Sequence, residues 1–246
     1  MISAAANVEL TAGDFTERLL LLRSDEQAQK NQRYFKTATG QKQADQFIGV
    51  RMGSIFELAK AYIDMPVGEI EKLMESPVHE IRAGAMSIMG QCAKRKKVAA
   101  ARLKELYDLY IRRHDRINDW DLVDLAAYFV VGKYLEDKPR KILYKLARSK
   151  NMWERRTAIV ATAHFIRQGD VDDTFSIAEI LVLDQEDLVN KGTGWMLRYA
   201  GDKDREKLVA FLDRFAAVMP RVLLRYSIEK FDPELRLHYM KVKKAA

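Results

Sequence analysis

A tryptophan and a carboxylate stand four residues apart in the stretch Asn118-Asp119-Trp120-Asp121-Leu122-Val123-Asp124. That spacing puts Trp120 and Asp124 on one face of a helix. An indole face and a carboxylate suit a positively charged partner, because the ring attracts a cation or covers a sugar while the acid stabilises positive charge. A carboxylate about 4 Å from a developing sugar cation, at an effective dielectric of about 20, lowers its energy by roughly 4 kcal/mol, about a thousandfold in rate. Cleavage of an N-glycosidic bond develops such a charge. Two plainer readings stand beside this one: Asp124 as a structural ion-pair partner of Arg156 or Arg116, and Trp120 and Trp195 as core indoles.

The elements that must position these residues are helices. Ala, Leu, Glu, Lys and Arg dominate long stretches, five prolines and twelve glycines break them, and no run of alternating β-branched residues appears; no sheet is expected. One amphipathic helix is predicted over 13–34 and a second over 51–63, joined by a polar connection at 35–47. Helix pairs follow at 66–95, 102–137, 139–169, 173–201 and 205–241, divided by breaks such as Asp64-Met65-Pro66 and Asp137-Lys138-Pro139. Units of this size predict an all-α, α-α superhelix (solenoid) of HEAT-like helical repeats. Residues 1–246 are read as one domain, with 1–12 a frayed terminal segment.

The repeats align on their second helices. Val78-His-Glu-Ile-Arg82, Met152-Trp-Glu-Arg-Arg156, Leu188-Val-Asn-Lys191 and Val222-Leu-Leu-Arg225 each place a base one turn in, with small residues close behind. The steps from Arg82 through Asp124, Arg156 and Lys191 to Arg225 are 42, 32, 35 and 34 residues. Asp124 is the one acid in this column. Stacked repeats would line the bases along a concave basic groove suited to a phosphate backbone, or the bases would only solvate a groove and pair with Glu80, Glu154 and Glu186.

Composition sets the outer limits. A net charge of +7 and a pI near 9.3 favour an anionic partner. A single cysteine, Cys92, forbids an internal disulfide and fits a reducing compartment, so a cytoplasmic location is expected. The longest apolar run, Leu125 to Gly132, is too short for a membrane span, and residues 1–12 lack the pattern of a secretory signal. His79, His114, His164 and His238 lack metal-ligand spacing, and no phosphate loop, dinucleotide fingerprint or Gly-x-Ser-x-Gly elbow occurs. Neither metal nor cofactor is expected.

Five segments carry a resemblance: Arg33-Tyr-Phe-Lys-Thr37, Phe47-Ile-Gly-Val-Arg51, the stretch from Asp115 to Asp124, Met152-Trp-Glu-Arg-Arg-Thr-Ala-Ile159 and Gly194-Trp-Met-Leu-Arg198. In this order, from about residue 33 to 240, the chain resembles the bacterial AlkD-type DNA alkylation repair glycosylases. The resemblance implies hydrolysis of the N-glycosidic bond of cationic alkylated purines, chiefly 3-methyladenine and 7-methylguanine, in duplex DNA, without the base flipping used by most enzymes that act on bases. It implies that Asp124 is the catalytic carboxylate, that Trp120 and Trp195 pack on the deoxyribose, and that Arg156 holds the backbone near the lesion. Tyr34, Arg155, Lys191 and Arg198 join Arg82 and Arg225 as expected DNA contacts. The chain departs from the family pattern at Gly192, Thr193 and Tyr199 and in the loop at 36–47, and Gly192 and Gly194 are expected to loosen their helix by up to about 1 kcal/mol each relative to Ala.

Two rival functions remain at this level. A binding module would grip DNA or damaged DNA without cutting, and would tolerate Asp124→Asn. A protein-interaction scaffold would hold an acidic protein at salt concentrations that remove DNA, with no preference for methylated duplex. The chain is expected to act as a monomer, with no membrane partner.

Overall fold

The computed structural model describes residues 9–34 and 45–242, with backbone alone at Arg33 and Tyr34. Among these residues every regular element is helical, and the one β-contact is an isolated parallel bridge between Gln46 and Val78. Contacts gather into two compact units that divide between Val130 and Val131, within the span read above as one domain. No helix among the described residues is long and apolar enough to cross a membrane.

The first unit begins with α1 (Ala12–Leu20) and α2 (Asp25–Tyr34). They replace the single helix predicted over 13–34. Thr11 caps α1 by accepting from the Asp14 amide at 3.1 Å, and Ala12 is held by its own amide donating to Glu69 at 2.9 Å. The apolar stripe of Phe15 and Leu19 ends with α1, and the almost wholly polar α2 has nothing to continue it. The chain therefore turns at 21–24, and Leu21 stands in solvent. The connection predicted over 35–47 falls largely outside the described residues.

Next come α3 (Met52–Lys60), α4 (Val67–Met74), α5 (His79–Lys94), α6 (Ala100–Arg112), a short 3-10 turn at His114–Arg116 and α7 (Trp120–Ala126). The axis of this unit is α5, buried along nearly its whole length and packed against α3, α4 and α7. Small residues make those contacts possible. A Cβ at Gly84 would lie 2.5 Å from the Phe15 ring, and one at Gly90 would collide with the Leu125 carbonyl. Gly90 thus lets α7 lie directly on α5, which fixes the depth at which Asp124 sits.

A π-helical segment, Ala127–Gly132, continues from α7. The second unit holds α8 (Lys141–Leu146), α9 (Met152–Ala161), α10 (Ala163–Arg167), α11 (Asp172–Leu181), α12 (Asp187–Gly201), α13 (Arg205–Phe215), α14 (Arg221–Ser227) and α15 (Pro233–Lys241). The pair predicted at 205–241 is three helices, because Pro233 starts a new one and Asp232 caps it on the Leu235 amide at 2.9 Å. Here α12 is the axis, in contact with α9, α11, α13 and α14.

The two glycines of α12 are packing residues. A Cβ at Gly194 would stand 2.5 Å from the Tyr226 Cβ and 2.7 Å from the Leu223 carbonyl oxygen, so α12 and α14 touch backbone to backbone. The expected loosening is reversed by this close approach. Gly194→Ala, which favours an isolated helix, is predicted to destabilise the protein by about 2 kcal/mol through overpacking, read from urea denaturation.

Candidate functional site

In the first unit the site is built on α7. Asp119 caps it, accepting from the Trp120 amide at 2.7 Å, and Asp121 accepts from the Leu122 amide at 2.8 Å. One turn on, Asp124 is half-buried, as is Trp120. Asp124 lines an open cleft of about 600 Å³ together with Leu125 and Phe129. The other walls are Phe56, Glu57 and Lys60 of α3 and Ser87, Gln91, Lys94 and Arg95 at the end of α5. A single aspartate, three cations and two phenyl rings thus share one cleft.

The cations are held differently. Lys60 pairs with Glu57 at 2.6 Å and Arg95 with Asp64 at 2.8 Å, both on the surface. Lys94 has no carboxylate partner among the described residues, and its ammonium lies 5.7 Å from the centre of the Phe129 ring. Arg116, a sequence-level candidate to neutralise Asp124, is turned elsewhere. It donates to the Met74 carbonyl at 3.2 Å and the Glu75 carbonyl at 2.5 Å, and it pairs with the Glu75 carboxylate at 3.4 Å.

Beneath the start of α7 lies a buried polar network. His79, the first residue of α5, is 1% exposed. Its Nε2 meets Asp121 Oδ2 at 2.8 Å and its Nδ1 meets Asp45 Oδ2 at 3.1 Å. Arg82 donates to Asp45 at 2.5 Å, to Asn118 Oδ1 at 2.9 Å and to the Ser76 carbonyl at 2.7 Å, and Asn118 donates back to Asp45 at 3.0 Å. Arg82 is therefore interior, with both amino groups bonded within the fold. Its repeat position gives register along the helix, while the small residues that follow open the space in which the guanidinium is buried. Glu80 does not pair with it; that carboxylate accepts from Asn31 at 3.0 Å and from the Ile48 and Gly49 amides at 3.2 and 2.9 Å.

These burials shift the titrations. Burial works against the His79 cation, but the Asp121 and Asp45 hydrogen bonds outweigh it and lift the pKa to about 9. Burial likewise works against the Asp45 carboxylate, and His79, Arg82 and Asn118 together still hold it below its ordinary range. Asp119 is pushed up to about 7, first by burial and then by the Asp121 charge. Above pH 3.8 the folded chain keeps a proton there that the unfolded chain releases, so the penalty grows from that point and levels off above pH 7. Asp119→Asn, which still caps the helix, is predicted to stabilise the protein by about 2 kcal/mol at pH 8 and hardly at all near pH 4, measured by urea denaturation.

In the second unit the expected residues lie on α9, α12 and α14. Trp195 is 37% exposed on α12, whereas Trp153 is buried at 6%. Arg156 is buried, with one amino group donating to the Leu188 carbonyl, and Gly192 is what gives it room: a Cβ there would stand 3.1 Å from Nη1. Arg155 forms a two-pronged pair with Asp184 at 2.5 and 3.1 Å and donates to the Ser149 and Lys150 carbonyls at 2.9 and 3.1 Å. These bonds make it a staple on the 182–186 turn. Lys191 pairs with Asp187 at 2.7 Å and Arg198 with Glu229. Arg225 is exposed with no carboxylate partner among the described residues. The side chain of Tyr34 lies outside the described residues.

The predicted column thus splits by burial. Arg82 and Arg156 serve the interior, and Lys191 and Arg225 reach the surface. Sequence reasoning missed Asp45, His79, Asn118 and Asp121 as partners, since they come from segments far apart in the chain. It also missed Lys60, Lys94 and Arg95 around Asp124; the basic run Lys94-Arg95-Lys96-Lys97 was the available signal.

Comparison with known proteins follows the same line. A family model described as DNA alkylation repair enzyme matches residues 15–231. Among solved structures the chain is similar to one described as a predicted DNA alkylation repair enzyme from Enterococcus faecalis, at 18% identity and a TM-score of 0.67, over 86% of this chain and 97% of that one. That likeness shows the α-α helical repeat fold. No curated protein matches the chain.

Proposed function

The chain belongs to the DNA alkylation repair enzyme family, and from that premise we propose that it is a monofunctional glycosylase that hydrolyses the N-glycosidic bond of cationic alkylated purines in duplex DNA. The observation that carries the proposal is the cleft in which Asp124 stands among Lys60, Lys94 and Arg95. The cations suit phosphates on either side of a nucleotide, and Asp124 suits the sugar between them; the other acid of the cleft, Glu57, pairs with Lys60.

The chemistry needs little else. An alkylated purine already bears positive charge and departs as a neutral base with the bonding pair, so no general acid is required. The sugar left behind is oxocarbenium-like. The Asp124 carboxylate stabilises it and orients the water whose oxygen bonds to C1′, the spare proton passing to solvent. In the first unit Trp120 is proposed as a sugar-facing wall, and in the second the exposed Trp195, with Lys191, Arg198 and Arg225, as contacts with the duplex. Arg156 is proposed to hold the backbone near the lesion.

Alkylation damage is also removed by passing the alkyl group to a protein thiolate. That route is disfavoured here because the only cysteine, Cys92, is fully buried. The test is a duplex with one N7-methylguanine: incubation followed by alkali should cut the modified strand at that base, and an uncut strand at full protein occupancy would refute the proposal.

A further inference from the structure

We infer that His79, bridging Asp45 and Asp121, is a positioning residue that fixes the first turn of α7 and thereby sets where Trp120 and Asp124 stand. The inference rests on the reading of Asp124 as the reacting carboxylate, and extends it to residues in a different layer of the unit.

Helix α7 has seven residues, too few to hold its own geometry in isolation. Its carboxyl end is packed against α5 at Gly90. At its amino end Asp121, 4% exposed, is tied to the imidazole at 2.8 Å. Asp124 lies three residues further along the same helix, so any slip or rotation of the first turn displaces it directly. The other side of the imidazole is held at 3.1 Å by Asp45, which Arg82 and Asn118 in turn secure, and the Phe47 ring covers it at 5.2 Å between centroids.

Only the imidazolium can donate to both carboxylates at once; the neutral ring donates from one nitrogen. Among the described residues, groups facing His79 include Asp45 from the segment before α3, Asp121 and Asp119 from the start of α7, and Arg82 from its own helix through Asp45. The Asp121 and Asp45 hydrogen bonds keep the ring protonated well above its ordinary pKa of 6.5, up to about 9. The sign follows: the bridge is complete below pH 6.5 and is lost as pH rises through about 9.

Three measurements test this. Amide hydrogen exchange of α7, corrected for intrinsic rates, should quicken in Asp121→Asn and His79→Gln, and in the wild type between pH 7 and pH 10, while the centre of α5 stays protected. Release of N7-methylguanine under single-turnover conditions should fall by about tenfold to a hundredfold in the same variants, with duplex affinity within twofold of wild type. The wild-type rate should also decline above pH 9, a limb that His79→Gln lacks. Unchanged α7 exchange in folded Asp121→Asn overturns the inference, as does a His79→Gln profile with the same alkaline limb. Should His79→Gln fail to fold, the wild-type pH series and the near-isosteric Asp121→Asn still decide. Absence of base release by the wild type would count against the glycosylase reading alone, since exchange reports the clamp independently.

Discussion

Asp124→Asn is expected to slow release of alkylated purines by about a thousandfold while duplex affinity is kept or slightly raised. The amide matches the carboxylate in size, so the cleft keeps its shape and the contact of α7 with α5 at Gly90 is untouched. What is lost is a full negative charge next to the sugar at the moment it becomes cationic. The same charge is unfavourable to phosphate binding in a cleft lined by Lys60, Lys94 and Arg95, so removing it does not weaken the ground-state complex. A loss confined to the chemical step marks an interaction made in the transition state. Single-turnover rates with fluorescence-anisotropy binding curves separate the two effects; a parallel loss of affinity and rate would point to a binding role for Asp124.

The second large effect is on stability. Arg82→Ala is predicted to destabilise the protein by about 3–5 kcal/mol, the cost of leaving a buried carboxylate without its partner. Arg82 and Asp45 expose only 5% and 12% of their side chains. Removal of the guanidinium also strips a donor from Asn118 and from the Ser76 carbonyl. Arg225→Ala offers the contrast, since that side chain is exposed and holds no carboxylate among the described residues. It should leave stability within about 0.5 kcal/mol and lower the slope of log affinity against log salt by about 0.9. Urea denaturation and salt titrations of DNA binding measure the pair, and a reduced salt slope in folded Arg82→Ala would mark it as a phosphate contact.

These two arginines show what was legible in the chain. Period and composition were enough for an all-α protein of paired helices, because apolar spacing and the scarcity of Pro and Gly act locally. The second-helix alignment also located α5, α7, α9, α12 and α14. Burial was not legible, since Arg82, Arg156 and Arg225 occupy like positions in their motifs yet meet different neighbours. Nor was the role of the glycines, which read as weak points in α12 until α14 and Arg156 were seen against them. Trp120 and Asp124 stood out because both chemistry and spacing lie within one helix turn. His79 did not, because its partners Asp45 and Asp121 lie 34 and 42 residues away and reach it only in the folded chain.

The central claim is that the protein breaks the bond between base and sugar. Mass spectrometry of both products after incubation with methylated duplex DNA tests it most directly, since excision and direct reversal differ in what they leave. Free 3-methyladenine or 7-methylguanine, matched by an equal amount of abasic sugar, is the predicted result. Unmodified purine restored within an intact strand, or methylated base retained in full on DNA saturated with the protein, would contradict it.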